Sequence, residues 1–186
     1  MAENVTEILI KASDGSEDAY NRLFFVVYDQ LKNIAEQQMN YENPDHTFSR
    51  TDLVHEVFIK MVDKNRIDWK NRTHFYGVAA ICMKQLLVDY ARKKLAQKRG
   101  GDYSRQTYID ELIPAASEAK KIITLDSSLK KLEEFDQRMA QVVDYRFFGG
   151  LTIKETAELL NVSANTVKRD WAKARGFLLK ELEQEL

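Results

Sequence analysis

The chain has 186 residues, 44% of them hydrophobic and 31% charged, with a formal net charge of −1. That is enough apolar material for one mid-sized domain or two small ones. The near-neutral balance excludes nucleic-acid binding through overall positive charge, and the lone cysteine, Cys82, excludes an intramolecular disulfide. The longest apolar run, residues 77–83, is far too short to cross a bilayer. The first residues, Met1-Ala-Glu-Asn, carry neither the basic nor the apolar segment of a signal peptide. A reducing cytoplasm is therefore the expected location.

Only two prolines occur, Pro44 and Pro114, which leaves long stretches free to be helical. Residues 5–11 read as a short helix. Over 17–39, Ala19, Leu23, Val26 or Val27, Leu31, Ile34 and Ala35 recur at helical spacing behind Ser16, a candidate N-cap. Asn43-Pro44-Asp45 ends that unit. A helix over 51–63 carries Leu53, Val54, Val57, Phe58, Met61 and Val62 on one face and leaves Asp52, His55, Glu56 and Lys60 outward.

Asn71-Arg72-Thr73 interrupts the pattern before a long helix over 74–97, whose first half is almost wholly apolar and whose second half, from Asp89, is basic. Gly100-Gly101 ends it and opens a weakly patterned stretch through Ile109 and Pro114 that reads as a linker. Four helices follow, over 122–134, 136–148, 152–160 and 164–185. Gly149-Gly150 supplies a left-handed cap for the second, Thr152 with Glu155 a capping box for the third, and Ser163 a cap for the fourth. No stretch alternates with period two. The expectation is an all-α chain of two helical domains, 1–99 and 121–186, joined by a flexible linker over 100–120.

The charge is unevenly spread. Residues 84–105 hold seven basic residues against Asp89 and Asp102, a net of +5, and residues 168–180 hold five against Asp170, a net of +4. The remainder therefore carries −10. Two basic patches on an acidic body are two places for phosphates.

The second patch lies in a helix, a three-residue turn (Asn161-Val-Ser163) and a second helix, the shape of a helix-turn-helix. Val167, Trp171, Ala174 and Leu178 fall at i, i+4, i+7 and i+11 and mark the packed face. Asn165, Thr166, Lys168, Arg169, Ala172 and Lys173 then face outward. Lys or Arg can reach guanine O6 and N7, Asn can pair with adenine, and small residues can touch thymine methyls. Asp170 opposes phosphate, unless it pairs with Arg169 or Lys173. The plainer alternative for this segment is a solvated amphipathic hairpin.

The first patch adjoins Asp68-Trp69-Lys70-Asn71-Arg72-Thr73-His74-Phe75-Tyr76, which crowds aromatics with cations at the mouth of the long helix. Such a mixture suits unpaired bases, which stack on rings while cations hold phosphates. It suits equally a helix junction plugged by Trp69 and Phe75. Catalysis finds no support. His46, His55 and His74 are scattered, His55-Glu56 has no second histidine at metalloprotease spacing, and no phosphate-cradling glycine loop or nucleophile elbow occurs. No metal or cofactor is expected.

Three segments in order resemble one family. Thr51-Asp-Leu-Val-His-Glu-Val-Phe-Ile-Lys60 resembles the region-2 helix of bacterial sigma-70-type initiation factors. Phe75-Tyr-Gly-Val-Ala-Ala-Ile-Cys-Met-Lys-Gln-Leu-Leu-Val-Asp-Tyr-Ala-Arg92, with Ala96-Gln-Lys-Arg-Gly-Gly101, resembles the helix that melts and reads the −10 element. Arg146-Phe-Phe-Gly-Gly-Leu-Thr-Ile-Lys-Glu-Thr-Ala-Glu-Leu-Leu160, with Thr166-Val-Lys-Arg-Asp-Trp171, is similar to region 4. Leu-Val-Asp-Tyr-Ala-Arg and Thr-Val-Lys-Arg-Asp-Trp resemble in particular the compact extracytoplasmic-function (ECF) group and its ECF-like subgroup.

The resemblance implies a sigma factor that binds core RNA polymerase and directs initiation at promoter DNA. It implies that Asp52, Glu56 and Lys60 meet the clamp helices of the largest subunit. It assigns the −10 element to Arg72, Phe75, Tyr76, Lys84, Gln85, Val88, Asp89 and Arg92. Region 4 is implied to sit on the flap of the second-largest subunit and read the −35 element with Asn165, Thr166, Lys168, Arg169 and Lys173. An anti-sigma factor is a further partner of such proteins. The competing reading is a stand-alone helix-turn-helix regulator with an N-terminal sensor or dimerisation lobe.

Overall fold

A computed structural model describes residues 4–39, 47–63, 69–98 and 116–185. The break at Asn43-Pro44-Asp45, Asp68 and linker residues 100–115 lie outside them. Among the described residues every regular element is helical and no strand occurs, in line with the all-α expectation.

Among the described residues, four helices form the N-terminal half. α1 (Val5–Ser13) starts at Asn4, whose side-chain oxygen accepts from the Thr6 amide. α2 (Glu17–Met39) is capped as expected by Ser16, whose hydroxyl accepts from the Ala19 amide at 3.3 Å. Its inward stripe is Ala19, Leu23, Val27, Leu31, Ile34 and Ala35, so the choice between neighbouring valines falls on Val27. α3 (Thr47–Asp63) begins four residues before the expected start and buries Leu53, Val54, Val57 and Met61.

α4 (Arg72–Lys98) is the central element. Asn71 caps it by accepting from the His74 amide at 2.9 Å, so the helix starts at Arg72, two residues earlier than its apolar pattern shows. Phe75, Ala79, Ala80, Met83, Leu86, Leu87 and Tyr90 are all buried. A helix apolar on every side must be surrounded, and α4 touches α1, α2 and α3 as well as elements of the C-terminal half.

That half opens with α5 (Ala116–Phe135), which starts six residues earlier than expected and buries Ala119, Leu129 and Leu132. The last residues assigned to the linker, 116–120, are thus helical. α6 (Gln137–Val143) is capped by Asp136 and runs into a π-turn at Asp144–Phe148, where the sequence pattern shows one uninterrupted helix. The widened turn closes with the Gly149 amide donating to the Asp144 carbonyl at 3.0 Å. Of the two glycines only Gly150 is left-handed, at φ +63°. α7 (Ile153–Leu160) and α8 (Ala164–Glu185) complete the chain.

The halves share a core. One hydrophobic cluster runs from Leu9 and Leu31 through Met83 and Leu87 to Leu132 and Phe148. The largest junction is α4 against α5, with the π-turn also seated on α4. Gln38, near the end of α2, donates from its amide nitrogen to the Ala80 carbonyl at 3.0 Å and to the Phe148 carbonyl at 3.1 Å. Gly77 lets the surfaces meet, because a β-carbon there would stand 3.1 Å from both Leu159 and Tyr145.

Candidate nucleic-acid interface

The helix-turn-helix is built from local signals. Thr152 accepts from the Glu155 amide at 3.2 Å, while the Glu155 carboxylate accepts from the Thr152 amide at 2.8 Å, closing the expected capping box. α7 ends at Asn161, the one non-glycine residue with positive φ among the described residues (φ 53°). The Val162 amide then donates back to the Ala157 carbonyl at 2.9 Å, the bond that reverses a chain after a left-handed cap. Ser163 accepts from the Thr166 amide at 3.0 Å and starts α8. Val142, Ala157 and Val167 are buried between the helices, and half-buried Trp171 packs against them on the inner face.

On α8, Asn165, Lys168, Arg169, Ala172 and Lys173 are exposed, as the spacing predicts. Thr166 is half-buried, and its hydroxyl lies 2.9 Å from that of Ser163, which ties it to the cap. Asp170 keeps Arg169, one of its two expected partners, at 3.8 Å, but its closer partner is a residue from another helix. Asp170 is 2% exposed, and its carboxylate accepts from the Nε–H of Arg138, on α6, at 2.6 Å. The acid that would repel phosphate is therefore turned inward and neutralised, and the same carboxylate raises the Arg138 pKa. Sequence reasoning missed Arg138. The signal was available: position 170 lies next to Trp171 and three residues after Val167, so it falls on the packed face, where a carboxylate needs a cation.

The first patch is placed quite differently. Phe75 and Tyr76, assigned to unpaired bases, are 1% and 4% exposed. Phe75 meets Trp69 edge-on at 5.2 Å and Tyr76 at 5.5 Å. These rings plug the junction, because burying such large apolar surfaces stabilises the fold more than displaying them, so neither ring is presented at the surface in this arrangement. Arg72 remains exposed, its guanidinium 5.4 Å from the Tyr76 ring centre.

Lys84, Gln85, Val88, Asp89 and Arg92 do converge, on one wall of a cleft of about 310 Å³. The other wall is the C-terminal half, with Asp126, Leu129, Lys130, Glu133 and Asp144. Lys84 pairs with Asp144 and lies 5.3 Å from the Phe148 ring centre. Arg92 pairs with Asp126 at 3.0 Å, and Lys130 reaches the same carboxylate at 2.9 Å. Burial pushes the Asp144 carboxyl above the usual carboxylate range, against the pull of Lys84 and with help from Glu133 and Asp126. Val88 is buried beneath this contact.

The third group lies on α3. Lys60 is exposed and stands 4.0 Å from Glu56, while Asp52 and Glu56 are half-buried, Glu56 accepting from the Tyr90 hydroxyl. On the same helix Ile59 is 59% exposed, and on α2 Phe25, next to Phe24, is 78% exposed. The face is thus more apolar than its charged positions suggest. Phe24 takes the inner place of its pair, packing edge-on against Phe58 at 4.9 Å and stacking on His55 at 5.1 Å.

Among the described residues no helix is long and apolar enough to cross a membrane. No curated protein matches the chain. A family model described as ECF sigma factor matches residues 2–184, almost the entire length over which the capped helix-turn-helix and the α4 cleft are built, and the chain belongs to that family.

Proposed function

We propose that this RNA polymerase sigma factor reads a two-part promoter in the cytoplasm, the upstream −35 element with α8 and the −10 element with α4. The observation that carries the reading is the outer face of α8, where Asn165, Lys168, Arg169 and Lys173 stand exposed while Asp170 is turned inward. That arrangement leaves donors for base edges and phosphates with no competing carboxylate on the same surface. Lys84, Gln85, Val88, Asp89 and Arg92 form the matching −10 surface on α4, flanked by Arg72. Core polymerase docks through its clamp helices on Asp52, Glu56 and Lys60, with Phe25 and Ile59 supplying apolar contact. Exposed Phe135 and Leu179 support a second contact, with the flap.

Run-off transcription with purified core polymerase on a genomic library tests the reading. Core-dependent initiation at discrete start sites is expected. No initiation, together with tight duplex binding by the protein alone, would instead identify a stand-alone regulator. Within α8, Lys168→Ala or Arg169→Ala should each cost about 1–3 kcal/mol at one base position. A uniform loss across sequences would assign that residue to phosphate.

A further inference from the structure

Lys168, Arg169 and Lys173 stand exposed on the outer face of α8, and they are not equivalent. Among the described residues the two lysines have no acid at ion-pair distance, whereas the Asp170 carboxylate lies 3.8 Å from the Arg169 Nε. That acid is buried, and its two oxygens face different arginines. Oδ2 accepts from Arg138 of α6 at 2.6 Å, and Oδ1 is the atom toward Arg169. Without Arg138, a carboxylate at that depth would have to take up a proton or turn out to water. Arginine carries its donors in a rigid planar fork. A carboxylate on the Nε side leaves the two terminal nitrogens, an edge of parallel donors that matches O6 and N7 of guanine.

We propose that Asp170, held in place by Arg138, is a positioning residue that sets Arg169 end-on toward the major groove, so that Arg169 selects a guanine in the −35 element. The inference rests on the assignment of α8 to the −35 element. At 3.8 Å the Asp170–Arg169 approach is a charge contact rather than a hydrogen bond. It therefore biases which way the fork points while leaving the terminal nitrogens outward. A long side chain must be ordered when it binds, and the buried acid does part of that ordering beforehand. Base discrimination needs both donors aligned, whereas attraction to phosphate needs only charge. Loss of the Asp170 charge thus acts on the two in opposite directions: selectivity falls, and general affinity for DNA holds or rises with the added positive charge. A loosened fold would lower both.

The test scores selectivity and general affinity separately. Selectivity is read from run-off transcription by the full chain with purified core polymerase, on a promoter recovered from the genomic library and randomised in its upstream element. General affinity is read from retention of a labelled random-sequence duplex pool. The wild type should favour guanine about tenfold at one position, and Arg169→Ala should erase that preference alone. Asp170→Asn, which keeps the shape and removes the charge, should reduce it to about threefold or less, with the other positions unchanged and duplex retention equal or higher. In an Arg169→Ala background the same change should remove nothing further at that position. Arg138→Lys keeps the counter-charge and should keep most of the preference. Arg138→Ala combined with Asp170→Asn leaves no stranded carboxylate, yet should stay as unselective as Asp170→Asn. The proposal is overturned if no guanine preference depends on Arg169, if Asp170→Asn keeps the full preference, or if selectivity falls at every position together with duplex retention. Initiation by the wild type separates the two failures. Core-dependent initiation with an unaltered preference in Asp170→Asn leaves the proposed function standing without the positioning role, and no initiation removes both.

Discussion

The two cationic faces handle their acids in opposite ways. On α8 the one carboxylate in the basic run, Asp170, is drawn into the domain by Arg138, and the cations are left facing outward. On α4 the cations Lys84 and Arg92 face carboxylates supplied by another part of the chain. Both arrangements neutralise charge, yet one leaves a surface available and the other covers it. Local net charge, +4 in one segment and +5 in the other, does not distinguish them. What separates them is whether the partner acid comes from beneath the surface or from across it.

That contrast can be broken from either side. The largest effect is expected at Phe148, which is buried in the shared core and lies against Lys84. Phe148→Ala should cost about 3–5 kcal/mol in denaturant unfolding and uncover α4 as well. An unchanged distance between the halves would mean that Phe148 serves only its own half. Next comes Arg138→Ala, which strands the Asp170 carboxylate in the core and should lower the melting temperature. Adding Asp170→Asn should recover much of the loss. If the double variant melts no higher than the single one, the pair is not what lets α8 face outward cleanly.

Smaller effects sharpen the comparison. Thr152→Ala removes half of the reciprocal cap that sets the entry of the helix-turn-helix, and should cost about 1 kcal/mol of stability. The loss should weaken the proposed duplex recognition by α8 while leaving the junction of α4 with α5 intact. The smallest effect concerns Asp144. Its carboxyl is raised by burial, so the folded protein holds that proton more tightly than the unfolded chain does. The resulting stabilisation is fully present below the ordinary carboxylate range and is lost as pH rises through the raised value. Asp144→Asn should therefore flatten this part of the pH–stability curve, matching the wild type at acid pH and standing slightly more stable near neutrality. A large loss near neutrality would show that the Lys84 pair, rather than the apolar contact and Gln38, holds the halves together.

Much of the fold was legible because its signals are local. Ser16 three residues before Ala19, Thr152 three before Glu155 and Ser163 three before Thr166 each place an oxygen where a helix start requires one. The α8 stripe through Val167, Trp171 and Ala174 worked for the same reason: helical spacing alone decides which side is buried. Signals that depend on distant partners were not legible. Phe75 and Tyr76 carry the composition of a stacking surface, and only the packing of Trp69 against them shows that they close a junction. The early start of α5 depends on Ala119 being buried in the shared core. The π-turn at Asp144–Phe148 arises where the chain bends onto α4. Val88 and Lys84 look the same in sequence whether covered or open.

Gly77 gives the junction an adjustable clearance. The nearest side-chain atoms already stand 3.1 Å from where its first carbon would lie, so each added methyl group acts as a shim between α4 and α7. Alanine, serine and valine at this one position would form a graded series of spacers. Such a series changes no charge and leaves the basic faces of α4 and α8 chemically intact. The position thereby gives a mechanical scale for how closely α4 and α7 must approach for the shared core to close.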